Sequence, residues 1–165
     1  MTLARPATPA DAEELVRLRA VMLDSLAGAG TDLGWQPVAV ETLRRKLADP
    51  SGDLAAFVVD RPDISDALHT PDTPRALAAT AVGVIEHRLG GPGNPMGISG
   101  YVFSVATDPD LRRRGYSRAC VEALLDWFRT RGVRKIDLRA SREGEPLYAS
   151  LGFVRTPDPA MRLTL

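Results

Sequence analysis

One cysteine, Cys120, and two histidines, His69 and His87, are all that 165 residues hold of the side chains most used for cross-links and zinc. A single thiol excludes an intrachain disulfide and any cysteine metal cluster, and two histidines alone do not suggest a zinc site. No metal is expected. Net charge is missing as well: 21 Lys plus Arg stand against 21 Asp plus Glu. Domains that grip nucleic acid usually present a net basic surface, so no nucleic-acid partner is expected. Nor does any run approach the roughly 18 apolar residues that span a membrane. The opening MTLARPATPADAEEL has no apolar core of a signal peptide. A soluble, cytoplasmic protein without a membrane partner is the expectation.

What is present suits one domain, residues 1–165, with a sizeable core. TPADAEELVRLRAVMLDSL reads as a helix entered through Thr8 or Asp11, with Pro9 in its first turn and Leu15, Leu18, Met22 and Leu26 at helical spacing. AGAGTDLGW interrupts it with three glycines, and PVAVETLRRKLADP predicts a second helix stopped at Pro50. DLAAFVVD and ALAATAVGVIEHR read as strands on either side of the proline-rich loop 61–75. A glycine-rich loop, LGGPGNPMGISG, leads to a third strand, YVFSVAT. From Tyr116 to Arg131 the pattern is helical, with Cys120, Leu124 and Phe128 in one stripe and Gly132 as terminator. VRKIDLRA alternates as a strand, EPLYASLG is a short helix, and AMRLTL predicts a final strand. The order ααβββαβαβ is a mixed α/β arrangement.

The most pointed stretch is ATDPDLRRRGYSRAC, where three arginines precede a glycine and a helix start. A strand, a short turn, a glycine and a helix mouth together aim backbone N–H groups at an anion. The helix end adds about half a positive charge, and small residues admit a phosphate to the backbone. Three arginines alone more often make a solvated basic turn. Neither the dinucleotide fingerprint nor the P-loop is present.

Arg112-Arg113-Arg114-Gly115-Tyr116-Ser117 resembles the acyl-CoA motif Arg/Gln-x-x-Gly-x-Gly/Ala of the GNAT (GCN5-related) N-acetyltransferases. ASREGEPLYASLGF is similar to that family's second signature, a Tyr followed by Gly-Phe. ARPATPADAEELVRLR resembles its usual beginning, and the resemblance covers nearly the whole chain. Ser117 replaces the commoner Gly or Ala, Ser141 stands where Asn is frequent, and Gly144 where Ala is.

The resemblance implies the GNAT fold: a central mixed, mostly antiparallel sheet flanked by helices and splayed at the cofactor strand. It implies acetyl-CoA as cofactor, its pyrophosphate on the amides of residues 113 to 117 with Arg112, Arg113 and Arg114 adding charge. Gly115, Tyr116 and Ser117 form the helix mouth. The pantetheine arm runs along Val105, Ala106 and Thr107 by pseudo-sheet pairing, with Ser141 beside it. The implied reaction is acetyl transfer to a primary amine, of a small molecule or a peptide, by direct attack in a ternary complex. A homodimer is a further possibility that the family allows.

Departure of the thiolate needs a proton. A free thiol has a pKa of about 8.5 and a phenol of about 10, so a positioned tyrosine can supply it near neutrality. Tyr148 holds the matching place and is the candidate general acid. A backbone amide near Val105 would polarise the carbonyl. The base is less legible. Glu86, at the end of a strand, is a candidate relay through water. His87 has a suitable intrinsic pKa beside a glycine-rich loop. A neutral amine needs neither. Asp108 shapes the turn before Pro109, Cys120 belongs to the core, and Trp35 is placed to line an acceptor pocket between the first two helices. The alternative reading is a noncatalytic acyl-CoA-binding or regulatory domain of the same fold.

Overall fold

Alternating small and β-branched residues build the sheet, and two amphipathic faces close it. In the computed structural model, which describes residues 3–27, 32–62 and 75–165, the elements run β1 (Arg5–Pro6), α1 (Ala12–Ala27), α2 (Trp35–Leu47), β2 (Leu54–Asp60), β3 (Leu77–His87), β4 (Ile98–Thr107), α3 (Tyr116–Thr130), β5 (Ile136–Leu138) and α4 (Glu145–Ser150). Single 3₁₀ turns, Pro9–Asp11 and Pro109–Leu111, precede α1 and follow β4. The strands form one sheet in sequence order, antiparallel except for the parallel β4–β5 pair. His69, most of the loop 61–75 and residues 28–31 between the first two helices lie outside the described residues.

The expected mixed α/β sheet is present, with four differences of detail. β4 begins at Ile98, three residues before the expected start, because Ile98 and Ser99 pair with His87 and Glu86. β5 is only Ile136–Leu138, since its neighbour β4 veers away beyond Val102. AMRLTL is not a strand: residues 160–165 pair with nothing among the described residues, although the apolar alternation is that of a strand. β1 was missed, because two residues that include Pro6 show no period, and only pairing with Val58 and Phe57 makes them a strand.

Each face of the sheet has its own core. Phe57, Val59, Ala79, Ala81, Ile85 and Val102 meet the α3 stripe of Cys120, Val121, Leu124 and Phe128. On the opposite face Ala56, Val58, Leu77, Val82 and Ala106 pack with Leu15 and Leu18 of α1. Gly83 and Gly100 make the hollow that admits Phe128. A Cβ at either would lie 2.7 Å from its ring, so no larger residue fits without moving α3.

Arg5 pins β1 by donating to Asp11 (2.9 Å) and Asp60 (2.6 Å). Burial pushes the Asp11 carboxyl up, but hydrogen bonds from Arg5 and Thr8 outweigh it and hold the group below the usual carboxylate range.

Candidate active site

β4 makes a site by parting from its neighbour. It pairs with β5 only at Gly100, Tyr101 and Val102, so residues 103–107 have no strand on that edge among the described residues. Main-chain groups there must find water or a ligand. The same half-strand carries a bulge. Val82 pairs with Phe103 and Thr80 with Ala106, so Ser104 and Val105 together face Ala81. Ser104 adopts φ +49°, a left-handed conformation that costs a non-glycine residue of order 1 kcal/mol. Its buried Oγ accepts a hydrogen bond from the Arg19 guanidinium of α1, which ties the bulge to that helix.

The next turn is bolted from behind. Asp108 is buried and accepts from Arg17 Nη1 (2.7 Å) and Nη2 (3.1 Å) and from Arg61 Nη1 (2.7 Å), while its N–H donates to Ala78 O. Arg17 is paired with Glu14 at 2.8 Å and also donates to Leu77 O. Glu14 in turn accepts from the Leu77 N–H at 2.9 Å. Helix α1, strand β3 and the turn after β4 are thereby fixed relative to one another.

In front of that bolt the chain opens into an anion cradle. Arg113 (φ +66°) and Gly115 (φ +82°) take left-handed conformations, the kind of turn whose amides form a concave nest. Gly115 is the N-cap of α3, and no side chain caps the helix. Among the described residues nothing accepts from the amides of residues 113–117. A Cβ on Gly115 would meet nothing within 4 Å, so the space before the helix mouth is open. Thr107 Oγ1 and Ser117 Oγ, 2.5 Å apart, join the strand end to the first helical turn.

Strand edge and cradle line one cleft of about 820 Å³. Val105, Ala106, Thr107, Arg112, Arg113, Gly115, Tyr116, Ser117, Ser141 and Tyr148 all border it. Four arginines (112, 113, 118 and 139) and one acid, Glu143, supply its charged lining, a balance that favours an anion. Ser141 accepts the Gly144 N–H at its Oγ (3.1 Å) and the Glu145 N–H at its carbonyl, and so sets the start of α4. That helix presents Tyr148 to the cleft, its ring edge-on to Phe153 at 5.9 Å. Burial pushes the Tyr148 phenol above its ordinary range, so it is protonated at neutral pH.

Other expected residues stand elsewhere. Arg114 is exposed and does not line the cleft. Glu86 lies near the far end of β3, opposite Ser99, with its carboxylate engaged by Arg88. His87 is exposed, 3.3 Å from Asp53. Trp35 opens α2, half-buried and away from the cleft. Cys120 is fully buried, and burial pushes its thiol up to about 12, which makes it inert. Arg17, Arg19 and Arg61 were missed, because only tertiary pairing distinguishes them from surface arginines. Arg17 and Arg19 did flank Leu18 of the α1 stripe, the one hint available.

The model of the Acetyltransferase (GNAT) family matches residues 51–153. The chain belongs to this family. It is 46% identical over 55 residues to a ribosomal protein bS18-alanine N-acetyltransferase of Salmonella typhimurium, a stretch that is 32% of this chain and 37% of that relative. It is 35% identical over 66 residues to a glucosamine 6-phosphate N-acetyltransferase of Trypanosoma brucei, 40% of this chain and 44% of that one. The matches therefore span well under half the length of these relatives. Across the whole fold it is similar to a predicted acetyltransferase of Clostridium acetobutylicum solved with acetyl-CoA: TM-score 0.76, 23% identity, covering 98% of this chain and 94% of that one.

Acetyl-CoA is the cofactor of GNAT acetyltransferases. The residues present fit it. Its diphosphate needs uncapped amides with open space before them, found at residues 113–117. Its long amide-bearing arm needs an unpaired strand edge, found at residues 103–107.

Proposed function

We propose that the protein is an N-acetyltransferase acting on a primary amine of a small molecule or peptide, by direct attack in a ternary complex with Tyr148 as general acid. One observation carries this reading: the Tyr148 phenol borders the same cleft as the anion cradle and the bulged, unpaired half of β4. Acetyl-CoA supplies the acetyl group as a thioester whose carbonyl the amine attacks. Amides of residues 113–117, with Arg112 and Arg113, bind the diphosphate. The edge of β4 along Val105, Ala106 and Thr107 aligns the pantetheine arm, with Ser141 on the facing wall. The Val105 amide polarises the carbonyl.

Tyr148 gives its proton to the departing sulfur. Transfer from a phenol of pKa about 10 to a thiolate whose acid has a pKa of about 8.5 is uphill by about 1.5 units, so the proton moves as the C–S bond breaks and the overall transfer draws on amide formation. Burial keeps that phenol protonated in the resting enzyme. An amine that enters neutral sheds one N–H proton as the amide forms; that proton returns to the Tyr148 phenolate through water, so this scheme uses no separate base and gives Glu86 no part. The α1 side of the cleft, lined by Val21, Met22 and Leu26, receives the body of the acceptor. The two relatives described above act, by name, on a ribosomal-protein alanine and on glucosamine 6-phosphate, which supports a primary amine as the acceptor.

Steady-state turnover over a panel of peptide and small-molecule amines tests the proposal. Tyr148→Phe is expected to lower kcat about 100-fold, within the usual range for a general acid, with acetyl-CoA affinity unchanged. Because burial raises the Tyr148 pKa, any alkaline limb it imposes on kcat lies above about pH 10 and vanishes in the variant. Acetyl-CoA binding with no acyl transfer to any amine would instead identify a noncatalytic binding domain.

A further inference from the structure

The cleft holds more positive charge than the diphosphate needs. At the helix mouth Arg112 and Arg113 stand with the amides of residues 113–117, and Arg118 is engaged by Glu122 (3.3 Å) and Ser150. Arg139 lines the same cleft elsewhere. It follows Leu138, which pairs with Val102, so it leaves β5 level with Phe103. Thr107, which meets the helix mouth through Ser117, lies four residues further along β4, roughly 13 Å of extended strand. A diphosphate seated on residues 113–117 leaves Arg139 unused.

A second guanidinium meets this end of the cleft from α1. Arg19, partly buried, donates from Nη1 to the Oγ of cleft-lining Ser104, and among the described residues its other N–H groups have no acceptor and no carboxylate pairs with it. Arg139 stands on the same side of the sheet. Ile136 and Leu138 pack on the α3 face, so Asp137 and, next in the alternation, Arg139 face the α1 side. Asp137 neither lines the cleft nor forms an ion pair with Arg139 among the described residues. The surrounding wall is apolar: Phe103, with Tyr101 stacked on it at 6.4 Å, and Val21, Met22 and Leu26 of α1. Glu143, the one acid among the lining residues, belongs instead to the turn before α4.

A polycationic acceptor would meet two like charges here and no carboxylate to offset them. An amine that also carries an anion finds a partner for that group. Resting on the acetyl-transfer reading, we propose that Arg139 and the free N–H groups of Arg19 bind an anionic group of the acceptor, a small primary amine bearing a carboxylate or a phosphate. The planar fork of Arg139 offers two parallel hydrogen bonds to either group. Arg19 is already fixed through Ser104, so it loses little freedom when the anion arrives. Ser104 and Val105 form the bulge together, and the Val105 amide is the group assigned to the thioester carbonyl. Holding the anion beside the bulge therefore directs the amine of the same molecule at the reacting carbon.

Matched amines test this: glucosamine 6-phosphate against glucosamine, and L-leucine against L-leucinamide. In at least one pair kcat/KM should favour the anionic member about 10-fold or more, and the pair that responds tells phosphate from carboxylate. Arg139→Gln should bring that ratio to about 1, chiefly through KM. Arg19→Gln, which keeps an N–H for Ser104, should lower it about 3-fold. Far-ultraviolet circular dichroism should be unchanged in both variants, and acetyl-CoA affinity by calorimetry should stay within about 2-fold. An acetyl-CoA affinity that falls as far as the ratio would assign Arg139 to the cofactor and overturn the proposal. Equal turnover within both pairs, or a preference for spermidine, would overturn it while acetyl transfer stands. If no amine turns over, calorimetric titration of the same four amines into protein saturated with coenzyme A reads the site directly. Tighter binding of an anionic member, lost in Arg139→Gln, would uphold the anion site without acetyl transfer, and equal binding within both pairs would overturn it.

Discussion

Two sets of arginines meet the same turn from opposite sides. Behind it, Arg17 and Arg61 reach buried Asp108 at 2.7 Å and spend their charge on the protein itself. In front of it, Arg112 and Arg113 line the cleft, exposed and with no ion pair among the described residues. The residue type is one, the duties are two. A guanidinium already bound by carboxylates is scaffold, because a ligand would have to displace its partners. One without them, over an uncapped helix start, retains its full attraction for an anion. The rear pair orders the turn so that the front pair and the amides are aimed before the ligand arrives, which reduces the ordering cost of binding.

The comparison breaks most sharply at Gly115. Gly115→Glu places a carboxylate where the diphosphate is expected and should cut acetyl-CoA affinity at least about 100-fold, measured by calorimetry. The left-handed φ of +82° adds a stability cost of about 1 kcal/mol for any side chain. Gly115→Ala carries that cost without the charge and serves as the control. If alanine is as damaging as glutamate, backbone geometry rather than charge governs the cradle.

Asp108→Ala tests the rear. It leaves two arginines facing each other across a vacated carboxylate. Removing one partner of a fully buried pair costs about 3–5 kcal/mol, but Arg17 is 39% exposed, so about 2 kcal/mol is expected here. For a chain of this size that lowers Tm by about 4–8 °C, read by thermal unfolding without ligand. A Tm that does not move would show that Arg17 and Arg61 are held by their other contacts alone.

The front of the turn was legible in the sequence and the rear was not, for a physical reason. Arg112, Arg113, Gly115 and Ser117 act through their own backbone and the helix that starts there, so local order carries the information. Asp108 acts through Arg17 and Arg61, 91 and 47 residues away, and nothing in the spacing along the chain announces those partners. The same division explains the rest. The α3 stripe and β2, β3 and β4 follow from periodicity, whereas β1 exists only by pairing, and β5 is cut short because β4 leaves it. AMRLTL has the alternation of a strand but lacks a neighbour among the described residues. Tyr148, singled out by its motif, lines the cleft. Arg19, which secures the bulge at Ser104, was hidden because a bulge has no mark in sequence until the register with β3 is known.

The smallest effect sharpens the comparison furthest. Arg112→Gln with Arg113→Gln removes two exposed charges that hold nothing together, so unfolding should shift by less than about 0.5 kcal/mol. Acetyl-CoA affinity should fall about 10-fold at low ionic strength, since each solvent-screened contact with a diphosphate contributes modestly. Raising salt should shrink that difference, because at about 0.15 M the Debye length is only ~8 Å. Binding through the amides of residues 113–117 should persist in the double variant and be far less sensitive to salt. Calorimetric titrations of wild type and variant at two salt concentrations separate the contributions. If the salt dependence of the two proteins is the same, the exposed arginines do not meet the diphosphate, and the cradle works through the helix mouth alone.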